Sequence, residues 1–207
     1  MNKRIVYFVF CVLIMLAMGL GCASEPKFTK LTGVWKFEPS YTIRPGKILV
    51  VGKLLNDSNR IPFEDFLTKE LKIKNIDAYA SYKPLPSEED IVKEKVKTAA
   101  RVMGIKSVLV TRVVSVDQKD VTVKDKVSYD LYATTMHGAV MMGPYLEESY
   151  EKTITIGQIE TGLFDVESEK LVWSAKSRVI DADSIDAAIK DYSLAILNQL
   201  SVDKIIP

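Results

Sequence analysis

Cysteine is nearly absent. The chain has two in 207 residues, Cys11 and Cys22, both close to the N-terminus. Everything beyond residue 22 lacks a thiol for a disulfide, a thiolate metal site or a cysteine nucleophile. Histidine is as scarce, with His137 alone. A Ser–His–Asp arrangement would have to be built around that one residue, and no serine stands in a G-x-S-x-G elbow. An excess of charge is missing too: 28 basic residues face 27 acidic ones. No basic field exists to hold nucleic acid by its phosphates. Phosphate cradles are also missing. No G-x-G-x-x-G follows residue 22, and Gly52-Lys53 lacks both the upstream glycine and the hydroxyl residue of a phosphate loop. Neighbouring acids such as Glu88-Glu89-Asp90 suit the start of a helix better than paired-carboxylate chemistry. These absences favour a non-enzymatic protein that needs no cofactor.

What is there begins at the N-terminus. Lys3 and Arg4 form a short basic start, and Ile5 to Leu20 is an almost unbroken apolar run. Gly21-Cys22 follows, then the polar Ala23-Ser24-Glu25-Pro26-Lys27. Basic start, apolar middle and small residue before the cut is the pattern of an export signal. Residues 1–21 are the expected signal peptide, with Cys22 as the new N-terminus. A diacylglycerol on the thiol and an acyl chain such as palmitate on the freed amine would hold the protein stably at a bilayer. Each buried methylene contributes about 0.8 kcal/mol, and one chain alone anchors only marginally. An uncleaved anchor helix and plain secretion are the alternatives; the apolar run falls short of the roughly 20 residues of a usual span.

Gly19-Leu20-Gly21-Cys22 resembles the bacterial lipobox, with Leu20 one position closer to the cysteine than is usual there. Ala23-Ser24 lacks the aspartate that retains enteric lipoproteins at the inner membrane. The resemblance implies a lipid-anchored, periplasm-facing protein of the bacterial cell envelope, at the outer membrane.

Apolar residues make up 47% of the chain and charged ones 27%, a composition suited to one folded domain large enough to bury a core without staples. Residues 22–46 hold Pro26, Pro39 and Pro45 with no sustained period and read as a tether. The alternation of Trp35 and Phe37 would also fit a short edge strand. The globular domain is expected over residues 47–207. Lys47 to Val51 reads as a buried strand. Asn56 to Asn59 supplies caps for a helix with Pro62 in its first turn. Phe63, Phe66, Leu67 and Leu71 form its inner face, and Asn75 stops it. Ile76 to Tyr82 reads as a second strand. Ser87-Glu88-Glu89-Asp90 opens a second helix, with Val92, Val96, Ala99 and Met103 inward and Gly104 at its end. Ser107 to Val113 is a third strand. Strand, helix, strand, helix, strand implies right-handed crossovers and a partly parallel sheet.

The second half reads differently. Val121 to Val127, Ser128 to Ala133, Lys152 to Val166 and Leu171 to Ile180 look like strands. Glu167-Ser168-Glu169-Lys170 reverses the chain between the last two. Asp183 or Ser184 then caps a final helix with Ile185, Ala188, Ile189, Tyr192, Ala195, Ile196 and Leu200 inward. The expected fold is α/β (α+β): a mixed sheet with three helices, a parallel βαβαβ first half, and an antiparallel hairpin plus C-terminal helix in the second.

Three stretches, KILVVGKLLNDSNR, VKTAARVMGIKSVLVTRVV and TGLFDVESEKLVWSAKSRV, together resemble a group of uncharacterised bacterial envelope lipoproteins. Similar domains are the N-terminal domain of TolB, the periplasmic domain of the curli-secretion lipoprotein and the lipoprotein activator of a penicillin-binding protein. The resemblance runs from Lys47 to about Leu200 and covers core and turn positions. It implies an α/β sandwich used for protein contacts in the envelope, and no particular reaction.

Tyr132 to Tyr145 stands out by composition. Met136, Met141 and Met142 accompany His137, a soft-ligand set suited to Cu(I) in an oxidising compartment. A packed or partner-binding loop explains the same residues, since methionine fills gaps and adapts to partners. Trp173 alternates with Val172, which puts Trp173 and Leu171 on one face, most simply in the core. Two functions stand at this point: a protein-binding or self-assembling envelope lipoprotein, and a small-ligand or copper carrier using residues 136–145.

Overall fold

The computed structural model describes residues 26–37, 46–126 and 147–207. Within them, a short apolar strand organises everything else. β2 (Lys47–Lys53) is buried from Ile48 to Gly52. It can be so because it lies between two parallel neighbours, β3 (Ala78–Ala80) and β4 (Ile105–Lys126), and has helices on both faces. With β5 (Glu147–Asp165), β6 (Leu171–Ile180) and β1 (Thr29–Lys36), the strands form one mixed sheet in the order β1-β6-β5-β4-β2-β3. The β2–β3 and β2–β4 pairs are parallel and the rest antiparallel. The parallel first half, the β5–β6 hairpin and the closing helix are as the sequence pattern predicts. Thr29–Lys36 takes the edge-strand option, pairing antiparallel with β6.

α1 (Asp57–Ile73) and α3 (Ile185–Val202) cover one face. Phe63, Leu67 and Leu71 of α1 and Tyr192, Ile196 and Leu200 of α3 close over Ile48, Val50, Leu109, Leu163 and Trp173. Asn56 caps α1 by accepting from the Ser58 N–H. Its C-terminus is closed by Asn75 in the left-handed region (φ 61°). The Ile76 N–H reaches the Leu71 carbonyl and the Asn75 N–H that of Lys72. This is the paired reversal that satisfies the last carbonyls and tucks an apolar residue, here Ile76, back onto the helix. Pro62 lies inside α1, not in its first turn: the Asn56 cap starts the helix earlier than the proline alone suggests. Phe66 is only half-buried.

α2 (Lys93–Val102) covers the other face over β2 and β4. The expected single helix from Ser87 is two pieces. Ser87 caps a one-turn 3₁₀ element, Glu88–Asp90, through a reciprocal capping box. The chain then breaks so that Ile91 can enter the core, and α2 starts afresh after Val92 without a side-chain cap. The break rotates the inner face: Ala100 is fully buried and Val92 is half exposed. Gly104 (φ 66°) ends α2 as expected.

Three strand expectations are corrected. β3 is three residues long, because Ser81 and Tyr82 turn away to serve the buried carboxylate of Glu64. The stretches expected as two strands, Ser107 to Val113 and Val121 to Val127, are one 22-residue strand to the limit of the described residues. A bulge between Val113 and Ser115 carries it on against β5. Residues 128–133 lie outside the described residues. In β6, a register shift beside Leu163 and Phe164 places Val172 and Trp173 in the same core, against simple alternation. Trp173 is fully buried, as expected, and its indole N–H donates to Asp203 at 2.8 Å.

Candidate binding surfaces

Three features of the described residues have the shape of a site. A pocket of about 390 Å³ opens between the N-terminal ends of α1 and α3. Its walls are Leu54, Phe63, Val113, Ile159, Ala188 and Ile189, among others, and no charged side chain lines it. Small residues make the space: Gly157 on the sheet and Ala182 and Ala188 at α3 stand where larger ones would close it. Tyr192 and Thr111 reach its inner end. The Tyr192 hydroxyl bonds Thr161, whose hydroxyl is 2.6 Å from that of Thr111, so these groups satisfy one another. Burial pushes the Tyr192 phenol up to about 12. It stays neutral at any physiological pH.

Beside this pocket, a buried ion pair pins α1. Arg60 and Glu64, one helical turn apart, are 2% and 0% exposed and meet at 3.0 Å. Glu64 Oε1 also accepts from the Gly52 N–H (2.9 Å) and the Ser81 hydroxyl (2.7 Å), and Oε2 accepts from the Tyr82 N–H (2.8 Å). Arg60 donates onward to Ser81 and to the Leu85 carbonyl. The pair thus satisfies backbone groups just past the end of the β2–β3 ladder, where β3 no longer serves them. It also disposes of Gly52-Lys53 as a phosphate site. The Gly52 N–H is committed to a carboxylate, and Gly52 is small because a Cβ there would sit 2.9 Å from the Phe63 ring.

On the opposite face a trough of about 430 Å³ runs between α2 and the sheet. Val51, Val96, Val108, Val110 and Phe164 line it, with Lys93, Lys97 and Glu169 at its edge. Lys93 and Lys97 pair with Glu169, and these ammonium groups hold its carboxyl below the usual carboxylate range.

The third feature is a ribbon. β4 and β5 stay paired out to Lys126 and Glu147, whereas β2 leaves β4 at Arg112 and β6 leaves β5 at Ile156. Beyond those points no third strand pairs with them among the described residues. One side of the ribbon carries Val121, Val123, Ile154 and Ile156 with Asp117, Lys119 and Lys152 beside them, and Tyr150, half exposed, beyond.

The N-terminal end of the described chain is clamped. Asp191 of α3 accepts from the backbone N–H groups of Lys27, Phe28 and Thr29 in succession. The Lys27 ammonium lies 3.8 Å from Asp183, which places this end of the chain beside the N-terminus of α3.

Of the residues singled out from the sequence, Cys22, Met136, His137, Met141 and Met142 lie outside the described residues. Among the described residues, no group of three or more His, Cys, Asp or Glu is placed to hold a metal ion, and no helix is long and apolar enough to cross a membrane. The pocket and the Glu64 network escape a reading by period. The small residues Gly157, Ala182 and Ala188 at inward positions are the signal that could have revealed the pocket.

No protein-family profile and no curated protein matches the sequence. Solved structures do. PelC from Paraburkholderia phytofirmans, a dodecamer, is 13% identical over 86% of this chain and 98% of that one, with a TM-score of 0.45. Lipoprotein GNA1162 from Neisseria meningitidis is 16% identical over 76% and 99%, with a TM-score of 0.43. A neuraminyllactose-binding hemagglutinin homolog from Helicobacter pylori is 11% identical over 81% and 91%, with a TM-score of 0.32. The function is therefore read from the chain's own residues.

Proposed function

We propose that the chain is a lipid-anchored lipoprotein of the bacterial envelope, facing the periplasm at the outer membrane, that acts without catalysis by binding another protein or assembling with itself. The anchoring is supported by the basic, apolar, Gly21-Cys22 order of residues 1–22. The observation that carries the protein contact is the β4–β5 ribbon. Two strands alone are marginal in water, and here they extend well past their neighbours, with edges that no third strand covers among the described residues and one side that carries Val121, Val123, Ile154 and Ile156. Such edges are templates for pairing with another chain. The likeness of the Lys47 to Leu200 region to envelope lipoprotein domains points the same way.

Crosslinking in intact envelopes tests the contact. A stoichiometric partner or a homo-oligomer is expected, with crosslinks mapping to residues 114–126 or 147–156. A clean monomer with no partner sinks the proposal. Mass spectrometry of the N-terminal peptide tests the anchor: a diacylglyceryl thioether on Cys22 is expected, and a bare thiol removes the envelope address.

A further inference from the structure

The apolar pocket between α1 and α3 has a composition that selects its occupant. A charged or sugar-like ligand would give up its water there and gain little: among the described residues no charged side chain lines the space, the inner Tyr192 and Thr111 hydroxyls are already bonded through Thr161, and the other polar liners, Asn59, Thr155 and Ser184, are the more exposed ones. An alkyl chain gives up no hydrogen bonds on entry, and it removes from water the apolar wall of Leu54, Phe63, Val113, Ile159, Ala188 and Ile189. The volume, about 390 Å³, lies at the low end of the ~300–1,000 Å³ usual for small-molecule sites, which suits one slender chain.

The clamp on the N-terminal segment supplies the source. Asp191 and Asp183 hold Lys27 at the end of α3 that carries Ser184, Ile185 and Ala188 of the pocket wall. Cys22 is five residues before Lys27, and five extended residues span at most about 18 Å. A lipid on Cys22 therefore keeps the pocket's end of the molecule close to the bilayer surface. We propose that this pocket takes one acyl chain of a membrane phospholipid. The placement at the bilayer rests on the anchoring proposed above; the choice of an alkyl chain rests on the pocket alone.

The test uses the full chain, extracted from membranes and reconstituted in vesicles of phosphatidylethanolamine and phosphatidylglycerol. The vesicles are doped with a phospholipid bearing a diazirine near the end of one acyl chain. After irradiation, peptide mass spectrometry should find adducts on residues 54–63 and 182–192. Ala188→Phe, which fills the space, should lower them about tenfold. The mapping is made on the unaltered chain, so it does not hang on how the variant folds. Adducts confined to other surfaces, or none, overturn the proposal. Adducts from a free diazirine fatty acid but not from the phospholipid overturn the membrane source. The mass of the Cys22 peptide is read separately in the same samples: a bare Cys22 overturns the anchor and leaves pocket adducts standing, while a lipidated Cys22 without pocket adducts does the reverse.

Discussion

β4 and β5 are one continuous ladder with two different surroundings. From Ile105 to Arg112, β4 has β2 on its other side and helices above and below, and Val108, Leu109 and Thr111 are 5%, 1% and 1% exposed. At the bulge and just past it, Val114 and Val116 are 52% and 49% exposed, although the pairing with β5 resumes at Ser115 and runs on. Backbone hydrogen bonds carry a strand beyond the core that stabilises it, but full side-chain burial stops where β2 and β6 stop. Stability and recognition should therefore separate along the same two strands. The body sets how tightly the chain folds, and the ribbon sets what it meets.

The largest effects should come from the body. Trp173→Ala empties the centre of the helix-covered face and is expected to cost about 3–5 kcal/mol of unfolding free energy. Glu64→Ala should cost a similar amount, because it strands the Arg60 guanidinium without its partner and leaves the Gly52 and Tyr82 N–H groups unserved. Urea unfolding of these variants measures both. A loss under about 1 kcal/mol for Glu64→Ala would mean that α1 is held by its apolar face alone.

Next comes Tyr192, on the same covered face. Its phenol is raised in the folded state from 10.0 to about 12 by burial. The unfolded chain ionises first, so folding is unaffected below about pH 10 and loses stability as pH rises from there to about 12. The two-unit shift is worth roughly 3 kcal/mol at the top of that window. Tyr192→Phe should cost about 1 kcal/mol at neutral pH, from the lost bond to Thr161, and should flatten the alkaline limb. Equal alkaline sensitivity in both proteins would show that other groups set it.

The ribbon should behave in the opposite way. Tyr150→Ser alters an exposed ribbon residue and should change stability by no more than about 0.5 kcal/mol, and Ile154→Ser, at a half-buried one, by about 1 kcal/mol. The same changes should weaken the crosslinks to a partner or second copy. If either costs as much as a body substitution, the division between the two halves of the ladder fails.

The division also explains what the sequence could reveal. Helix faces repeated by the spacing of Phe63, Leu67 and Leu71, or of Tyr192, Ile196 and Leu200, are legible because one core selects them. Gly104 is legible because its backbone, at φ 66°, favours glycine, and the Glu167–Lys170 reversal is legible as a polar break between two apolar runs, although glutamate is an uncommon residue for the φ of 59° at Glu169. The strand from Val121 is legible by the alternation of Val121 and Val123, but its union with Ser107 to Val113 is not, because the exposed polar run Asp117 to Asp120 reads as a break. Arg60 and Glu64 are hidden for another reason. At four-residue spacing they resemble a solvated surface pair, and only the turn after β3, brought in by the fold, buries them. The pocket is harder still, because a space is a property of several elements at once.

The smallest effect should come from the exposed ion pairs, and it bears on how far the body extends across the second face. Lys97 and Lys93 of α2 both pair with Glu169, in the turn between β5 and β6. They hold its carboxyl below the ordinary value, chiefly through hydrogen bonds from Lys97 and then Lys93. A depressed carboxylate stabilises the fold fully above its unfolded value, near pH 4.5. That contribution fades as pH falls through the lower, folded value. Glu160, held down by Arg112 and then Lys176, behaves alike. Glu169→Gln keeps the turn and removes the charge, so it should trim the acid-limb loss of melting temperature by a minor part and leave pH 7 stability almost unchanged, as solvent-screened pairs do. A large drop at pH 7 would show that this pairing, more than Val96 and Ala100, holds α2 to the sheet.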